Sequence, residues 1–342
     1  MDKLDSLGPL VTRWTTPTEV PMEPEDASRT TLLVVAPVFN EEEVLPRFVA
    51  EVLDTFDDIA HSYDARLLLV VDPGTDRTED RVRELVATSD RVCALFMSRR
   101  VGHQASLLAG LDYCFDDVCI TMDADLQHPP SLIPELLKLH VAGVDIVQTI
   151  RLDTEDASLW KRTSSKAFYR FLNRISEVEL VESGADFRLM SQRVVEIFRS
   201  SLRERNPFIR GMVQWVGFPT ATLPFRAPSR GAGHSKYSSA RSIAFGVSGV
   251  VSFSKTPLRL GIVIGGCVAG LAFLAAAYSV IAYFSSSSLP PGWATLSVLI
   301  ALLAAVQLLT IGVIGIYVGA IFDEVKGRPT YIIREHLTRG TK

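Results

Sequence analysis

The chain has 342 residues, of which 47% are hydrophobic, and a formal net charge of −4 at pH 7. This acidic balance provides no general positive field, so it argues against nucleic acid as a partner. The length is sufficient for two ordinary domains with a sizeable core. The four cysteines form no C-x-x-C pair and lie in apolar surroundings, which predicts buried free thiols in a reducing compartment.

The first segment, residues 1–30, contains no apolar stretch and is rich in proline, threonine and acidic residues, as in TPTEVPMEPED. This composition predicts a disordered N-terminal tail and not a signal peptide. Residues 31–236 are predicted to form a cytoplasmic globular domain, because apolar runs alternate with helix-like segments along it.

Five apolar runs predict β-strands: TLLVVAPVF, ARLLLVVD, RVCALFMS, DVCITMD and VDIVQTI. Helix-like segments separate them, among them QASLLAGLDYCF and SLIPELLKLHVAG. Strands that are apolar throughout and alternate with helices are typical of a parallel sheet covered on both faces. The pattern predicts a Rossmann-like α/β fold, although the G-x-G-x-x-G turn of dinucleotide-dependent dehydrogenases does not follow the first strand.

Polar residues follow each predicted strand, at the edge where open α/β sheets bind ligands. In strand order they are Asn40 and Glu41, then Asp72, then Ser98 and Arg99, then Asp123 and Asp125, and finally Arg151. One acid at a strand end means little, but five successive polar ends predict a site. If the fourth strand continued, Asp123, Asp125 and Gln127 would project to one side with oxygen ligands that suit Mg²⁺ or Mn²⁺. A solvated turn is the alternative for the D-x-D triplet taken alone.

Two apolar segments near the C-terminus, residues 258–284 and 293–322, each exceed the roughly 20 residues that span a bilayer. They predict two transmembrane helices joined by SSSSLPPG, and two buried core helices are the alternative. Basic residues flank the pair on its outer sides, at Lys255, Arg259, Lys326, Arg328, Arg334, Arg339 and Lys342. The positive-inside rule therefore places both termini in the cytoplasm.

Two further segments border these spans. Residues 237–257 predict an interfacial helix that lies on the bilayer, and a surface helix packed on the domain is the alternative. Residues 323–342 predict a basic cytoplasmic tail. Glycines within both spans would permit close helix approach and a homo-oligomer.

Six segments, in this order and followed by two spans, resemble the polyprenyl-phosphate glycosyltransferases. This branch of the inverting glycosyltransferase family 2 includes dolichol-phosphate mannose synthases and bactoprenol glucosyltransferases. The segments are VVAPVFNEEEVL, SRRVGHQASLLAGLD, TMDADLQHPPSLIPEL, ADFRLMSQRVV, IRGMVQWVGF and RGAGHSKYSSAR. The resemblance covers about residues 31–337. It implies a GT-A fold that transfers a sugar from a nucleotide sugar, such as UDP-glucose or GDP-mannose, to polyprenyl phosphate at the cytoplasmic face of a bacterial inner membrane.

The resemblance also implies roles for particular residues. Asp123, Asp125 and Gln127 would hold Mg²⁺ or Mn²⁺, which acts as a Lewis acid on the departing diphosphate. The nucleotide-binding positions are Pro37, Phe39, Asn40, Glu41, Asp72 and Asp123. The positions for lipid phosphate and diphosphate are Arg151, Arg162, Ser165, Arg230, Ser235 and Lys236, and an exposed helix face is the alternative for Arg162. The predicted catalytic residues are Asp125, Asp186 and Arg151.

Two roles stay open at this point. Asp186 stands where many inverting relatives place a catalytic base, but a phosphate monoester is largely dianionic at pH 7 and needs no base. Asp186 would then orient the sugar or an arginine instead. His103 is interpreted as a pocket-lining or helix-start residue rather than as a metal ligand or base.

The sequence departs from the family pattern after the second strand. It has Asp72-Pro73-Gly74-Thr75-Asp76-Arg77-Thr78 where relatives read Asp-Asp-Gly-Ser-x-Asp-x-Thr, and Arg100-Val101 where relatives often have Asn-Phe. The base, uracil or guanine, is therefore not specified. A processive polysaccharide synthase is an alternative, but Gln214-Trp215 does not fit the Q-x-x-R-W pattern. Loss of the D-x-D acids would favour a non-catalytic membrane scaffold, and both acids are present.

Overall fold

The structure is a computed structural model that describes residues 29–152, 181, 184–226, 254, 256–285 and 292–339. Residues 1–28 of the predicted N-terminal tail 1–30 lie outside these residues, as does nearly all of the predicted interfacial helix 237–257. The same holds for the predicted lipid-phosphate positions Arg162, Ser165, Arg230, Ser235 and Lys236.

The described strands are β1 Thr30–Val38, β2 Tyr63–Val71, β3 Val92–Met97, β4 Val118–Thr121, β5 Ile146–Leu152, β6 Gly184–Ser191, β7 Thr220–Arg226 and β8 Ile333–Leu337. The described helices are α1 Leu45–Ile59, α2 Thr78–Thr88, α3 His103–Asp112, α4 Ile133–Val141, α5 Gln192–Ser200, α6 Ile209–Trp215, α7 Thr256–Ser285 and α8 Trp293–Lys326. A short 3₁₀ turn, Pro130–Leu132, precedes α4. All five predicted strands are confirmed, and the helices that separate them are present.

The strands form one sheet in the order β7-β5-β6-β4-β1-β2-β3-β8. β1 pairs in parallel with β2 and β4, β2 with β3, and β5 with β7. β6 runs antiparallel between β4 and β5, and β8 runs antiparallel along β3. The prediction of a wholly parallel sheet is therefore too simple, although the five predicted strands do share one direction.

β1 shows why these strands are apolar without alternation. Leu32 and Val34 belong to the core on one face of the sheet, together with residues of α1, α2 and α4. Leu33 and Val35 belong to the core on the other face, which α3, α5 and α6 cover. Residues Leu32 to Ala36 of β1 are thus buried on whichever side of the sheet they point, so the fold has three layers with the sheet in the middle.

Both predicted membrane segments are helical. α7 includes residues 258–284, and α8 includes residues 293–322 and continues to Lys326. Within the part of α8 that the structure describes, Leu302–Lys326 is long and apolar enough to cross a membrane, with a mean hydropathy of 2.1. Side chains such as Leu308 and Phe322 are exposed, so α8 is not a buried core helix.

The segment after α8 returns to the sheet. Residues 323–342 were predicted as a basic tail, but α8 continues to Lys326 and β8 then adds to the edge of the sheet beside β3. Arg83 forms a bidentate ion pair with Glu335 of β8, at 2.7 and 2.6 Å. The exit from α8 is therefore fixed to the globular domain.

Candidate active site

The candidate site lies at the edge of the sheet where β4 ends and β6 begins. In this antiparallel pair Thr121, the last residue of β4, lies opposite Arg188. Asp186 is therefore level with the residues that follow β4, and the Thr121 hydroxyl donates to the Asp186 carbonyl oxygen at 2.8 Å. The reversed direction of β6 brings its first residues to the edge where the parallel strands end.

The acidic loop after β4 differs from the expectation in its geometry. The strand ends before Asp123, so a continuing two-residue period is the wrong reason for grouping Asp123, Asp125 and Gln127. Leu126 has a φ of 61°, in the left-handed region, and this changes the direction of the chain before Gln127. The Gln127 amide then donates to Asp125 Oδ1 at 3.0 Å, while Gln127 Oε1 accepts from Arg151 at 2.9 Å.

His103 holds Asp123 in place. As the first residue of α3 it forms a 2.7 Å hydrogen bond from Nε2 to Asp123 Oδ1. Its Nδ1 lies 3.3 Å from Nε2 of Gln104, and Gln104 Oε1 accepts from the Ile209 amide at 3.0 Å. Because the Gln104 oxygen is taken, its NH₂ group faces His103, so Nδ1 accepts and Nε2 carries the proton. The helix-start interpretation of His103 is confirmed, and its contact with Asp123 was not predicted.

The charges around Asp123 oppose the effect of burial on the pKa of its carboxyl. Burial raises the pKa of this carboxyl, but His128 and His103 lower it further, so the net shift is downward. For His103, burial lowers the pKa, whereas Asp123 and Asp186 raise it above its ordinary value. The Asp123 amide also donates to His128 Nδ1 at 2.9 Å, and the His128 ring stacks on Phe187. The two histidines therefore favour the carboxylate form of Asp123.

Asp186 is buried, with 5% of its surface exposed, and two arginines pair with it. Arg210 of α6 donates through Nε to Oδ1 at 3.0 Å and through Nη2 to Oδ2 at 2.9 Å. Arg188 donates through Nη2 to Oδ1 at 2.7 Å. Burial raises the pKa of Asp186, but Arg210 and Arg188 lower it well below its ordinary range. This geometry suits an anchor for arginines and disfavours a proton acceptor.

The two arginines were not predicted as site residues. Arg188 stands two positions after Asp186, where alternation along a strand places both on one face, and this spacing was an available signal. Arg210 lies in a different helix, so only the three-dimensional structure could pair it with Asp186. Burial lowers the pKa of Arg188 to about 10, and Asp186 acts in the opposite direction.

The loops after β1 and β2 are joined through Asn40. Its Oδ1 accepts from the Thr75 amide at 2.9 Å, and its Nδ2 donates to the Thr75 hydroxyl at 3.1 Å. Asn40 has a φ of 53°, a left-handed conformation that asparagine tolerates. A Cβ on Gly74 would lie 2.1 Å from Asn40 Oδ1, so this contact requires glycine. The shortened loop after β2 therefore closes directly on the loop after β1.

Asp72 follows β2 and accepts from the amides of Val101 and Gly102, at 3.1 and 2.8 Å. These two hydrogen bonds fix the backbone directly before α3, at the end of the loop after β3. In that loop the Arg100 guanidinium lies 3.9 Å from the centroid of the Phe39 ring. The predicted nucleotide-binding residues Asp72, Phe39 and Asn40 thus meet at one sheet edge. Pro37 lies within β1 opposite Val70, and the Glu41 amide donates to the Thr78 hydroxyl at 2.9 Å.

The residues at this edge fit a hard divalent cation in part. Across the described ranges, no group of three or more histidine, cysteine, aspartate or glutamate side chains is placed to hold a metal ion. Asp123 and Asp125 nevertheless offer carboxylate oxygens, and Mg²⁺ typically uses one or two carboxylates and completes its shell with substrate phosphates and water. The oxygen of the third predicted ligand, Gln127, is occupied by Arg151.

Comparison with known proteins identifies the class of protein to which this α/β fold and strand-end site belong. Residues 33–198 match the family model described as "Glycosyl transferase family 2". The chain is 37% identical over 302 residues to the SfII prophage-derived bactoprenol glucosyl transferase of Shigella flexneri, covering 88% of this chain and 97% of that protein. It is 36% identical to the prophage bactoprenol glucosyl transferase homolog of Escherichia coli strain K12, with coverage of 88% and 97%.

The chain belongs to glycosyltransferase family 2 and is a glycosyltransferase. The family resemblance drawn from its motifs is thereby confirmed. It is also 33% identical, over 88% of its length and 93% of the relative, to the uncharacterized glycosyltransferase YkcC of Bacillus subtilis strain 168.

Similar solved structures are more distant. The crystal structure of mannosyl-3-phosphoglycerate synthase from Rubrobacter xylanophilus is 15% identical, covers 65% of this chain and 72% of that chain, and superposes with a TM-score of 0.42. The structure of glucosyl-3-phosphoglycerate synthase from Mycobacterium tuberculosis with Mn²⁺, UDP and glucosyl-3-phosphoglycerate is 17% identical, with coverage of 65% and 78% and a TM-score of 0.40. Neither likeness bears on the site of this chain.

Proposed function

We propose that the chain transfers a sugar from a nucleotide-diphosphate sugar to a polyprenyl phosphate at the cytoplasmic face of a bacterial inner membrane, with inversion and with Mg²⁺ or Mn²⁺. The observation that carries the proposal is one juxtaposition at the sheet edge. Asp123, in the acidic loop, lies next to the carboxylate of Asp186, to which Arg210 and Arg188 are anchored, and His103 contacts both sides. Such an edge offers acids for a cation and cations for phosphate groups.

The acceptor class rests on the curated relatives. Proteins named bactoprenol glucosyl transferase match this chain at 36–37% identity over 97% of their length. A lipid acceptor also suits a glycosyltransferase domain that continues into a helix of membrane-spanning length.

The donor side of the site is formed by the loops after β1, β2 and β3. We propose that Pro37, Phe39, Asn40, Glu41 and Asp72 bind the nucleoside. Asp72 already accepts two backbone amides, so it orders the loop that carries Arg100, whose guanidinium covers the Phe39 ring. Arg100 would then form one wall of the base pocket, at a position where relatives often have asparagine.

The carboxylates of Asp123 and Asp125 would hold the cation. When bound, the cation supplies Lewis-acid neutralisation of the charge that develops on the departing diphosphate. His103 keeps Asp123 oriented through the 2.7 Å hydrogen bond. Gln127 would join Asp123 and Asp125 as a ligand of the cation only when Arg151 releases the Gln127 Oε1 atom. Arg151 could then approach a phosphate.

In the transfer itself, an oxygen of the acceptor phosphate forms a bond to the anomeric carbon, and the bond from that carbon to the diphosphate oxygen breaks. The phosphate is ionised at neutral pH and needs no base. Asp186, which two arginines keep ionised, therefore acts by holding Arg210 at the site. Arg210 and Arg151 would neutralise the acceptor phosphate, together with Arg162, Ser165, Arg230, Ser235 and Lys236 from the predicted set.

The test uses the full chain, purified in detergent, with Mg²⁺, a short polyprenyl phosphate and a panel of radiolabelled nucleotide sugars. One donor should give a lipid-soluble labelled product, and Asp125→Asn should lower its rate of formation by about 100-fold. Asp90→Asn, a change at an exposed acid far from the site, is the matched control and should leave the rate unchanged. The proposal fails if no donor gives a lipid-soluble product and Asp125→Ala binds nucleotide as well as the parent chain.

A further inference from the structure

A cluster of contacts ties the end of α8 to the helices of the catalytic domain. We call it the membrane junction and define it as Asp112, Arg203, Arg205, Glu324 and Tyr331. Asp112, the last residue of α3, accepts from Arg203 Nη1 at 2.5 Å and from the Tyr331 hydroxyl. Glu324 Oε2, in the last turn of α8, accepts from the Arg205 amide at 3.0 Å.

The chain path after α8 makes these contacts continuous. α8 ends at Lys326, the next residue, Gly327, has a left-handed φ of 66° that favours glycine, and the chain then turns along β3. The Ser98 amide donates to the Ile332 carbonyl at 2.8 Å just before β8 begins. Tyr331 packs against the core beneath α3, and burial together with Asp112 raises the pKa of its hydroxyl. The hydroxyl therefore stays protonated as the donor to Asp112.

The two helices held at the membrane junction are also the helices that enter the site. α3 begins with His103, which contacts Asp123, and ends with Asp112 at the membrane junction. Arg203 and Arg205 lie in the loop between α5 and α6, and α6 carries Arg210. The Gln104 side chain joins the starts of α3 and α6 through the Ile209 amide. The exit of α8 and the site are thus parts of one packed unit.

We propose that the membrane junction fixes the height and tilt of the active site over the bilayer, so that Tyr331 and Glu324 are positioning residues for an acceptor embedded in the membrane. The inference rests on the proposed function, because it requires an acceptor in the bilayer. A site held rigidly at headgroup level meets an embedded phosphate at a high effective concentration, and a loosened connection lets the domain tilt out of reach. An acceptor dissolved in water arrives by diffusion and gains nothing from this alignment.

The experiment compares two acceptors in the same proteoliposomes: a long-chain polyprenyl phosphate embedded in the bilayer and a short-chain, water-soluble polyprenyl phosphate. The variant is Tyr331→Phe combined with Glu324→Ala, which removes the hydrogen bonds from the Tyr331 hydroxyl to Asp112 and from the Arg205 amide to Glu324 and keeps the Tyr331 ring. We expect kcat/KM for the embedded acceptor to fall about tenfold, while kcat/KM for the soluble acceptor and KM for the nucleotide sugar stay within about twofold of the parent values.

Arg339→Gln is the matched control, because it removes an exposed ion pair with Asp90 in the same C-terminal segment, away from α3 and α6. It should leave both acceptors unchanged. An equal loss on both acceptors would show a general structural effect and overturn the positioning role. Unchanged use of the embedded acceptor in the double variant would overturn it as well.

A distance measurement keeps the inference separable from the proposed function. Nitroxide labels are placed at Phe115→Cys, on the domain surface, and at Val318→Cys, on α8, in a Cys267→Ser background. The distance between the two labels in bilayers changes when the domain tilts relative to α8. The double variant should broaden this distance distribution. If the parent chain transfers no sugar to either acceptor, the proposed function fails, and an unchanged distribution in the variant separately overturns the membrane junction.

Discussion

Among the residues that the structure describes, Arg188 is the largest fully buried side chain, with 1% of its surface exposed. Only its Nη2 has partners, Ala185 O at 3.1 Å and Asp186 Oδ1 at 2.7 Å, while Nε and Nη1 have none among the residues that the structure describes. A buried cation that is only partly hydrogen-bonded costs free energy, and the carboxylate of Asp186 offsets that cost.

This arrangement predicts an order of stabilities. Asp186→Asn removes the carboxylate that pairs with the buried Arg188 and with the half-buried Arg210, so we expect it to lower the free energy of unfolding by about 3–5 kcal/mol. Arg188→Met removes a poorly satisfied cation and leaves Asp186 paired with Arg210, so its cost should be smaller. The double variant should recover part of the loss. Denaturant unfolding of the four proteins in detergent measures this order, and equal losses for the two single variants would contradict it.

The pKa of Asp186 also predicts the shape of the pH profile. The two arginines hold this pKa well below its ordinary range, so Asp186 stays ionised across the working pH. Its titration therefore adds no rising or falling limb to the plot of kcat/KM against pH near neutrality. The limb should instead follow the acceptor phosphate, whose second pKa is near 6, and kcat/KM should rise with pH through that value.

A phosphonate acceptor with a higher second pKa should move that limb upward. Asp186→Asn should lower the rate without moving the limb. A limb that disappears in Asp186→Asn and stays in place with the phosphonate would instead identify Asp186 as a base.

At the scale of the elements, two long-range ion pairs hold β8 at the edge of the sheet. Glu335 receives a bidentate bond from Arg83, and Arg334 pairs with Glu79 at 2.6 Å. The hydrogen bonds from Arg83 lower the pKa of Glu335 against a small opposing effect of burial. A carboxyl whose folded pKa is depressed stabilises the fold above its unfolded pKa, and the contribution is lost as the pH falls through the folded value.

We therefore expect Glu335→Gln to speed amide exchange of β8 severalfold at pH 7. The difference from the parent chain should shrink as the pH falls below the ordinary glutamate pKa of about 4, and it should vanish only below the depressed folded pKa, because only there is Glu335 protonated in both states. Hydrogen exchange followed by mass spectrometry measures it, with β2 as the internal reference. A difference that persists undiminished at low pH would contradict the ion-pair explanation.

The elements also show where sequence reasoning succeeds and where it fails. β1 to β4 were predictable because most of their residues are apolar and buried on both faces of the sheet, and β5 because it begins with the buried pair Ile146 and Val147. β6 and β8 were not, since β6 inserts between β4 and β5 only through long-range pairing, and β8 is a five-residue edge strand of alternating exposure. For the same reason the strand-end acids could be named from the sequence, whereas Arg210 as partner of Asp186 could not.

At the scale of the whole molecule, the position of β8 constrains the membrane topology. β8 belongs to the same sheet as the strands that precede α7, so the chain must return after α8 to the side on which it entered α7. An even number of crossings satisfies this condition. α8 contains a stretch of membrane-spanning length, so a crossing by α8 requires a crossing by α7.

We therefore expect two crossings, with the SSSSLPPG segment between α7 and α8 on the periplasmic side and both ends in the cytoplasm, as the flanking basic residues also favour. In intact cells a membrane-impermeant maleimide should label Ser287→Cys, and Arg339→Cys should be labelled only after permeabilisation, both in a Cys267→Ser background. The parent chain with Cys267→Ser is the control for the other three thiols. Labelling of both positions from outside would contradict two crossings, because it would place β8 across the membrane from the other strands. Labelling of neither position would also contradict them, because it would leave α7 and α8 on one side of the bilayer.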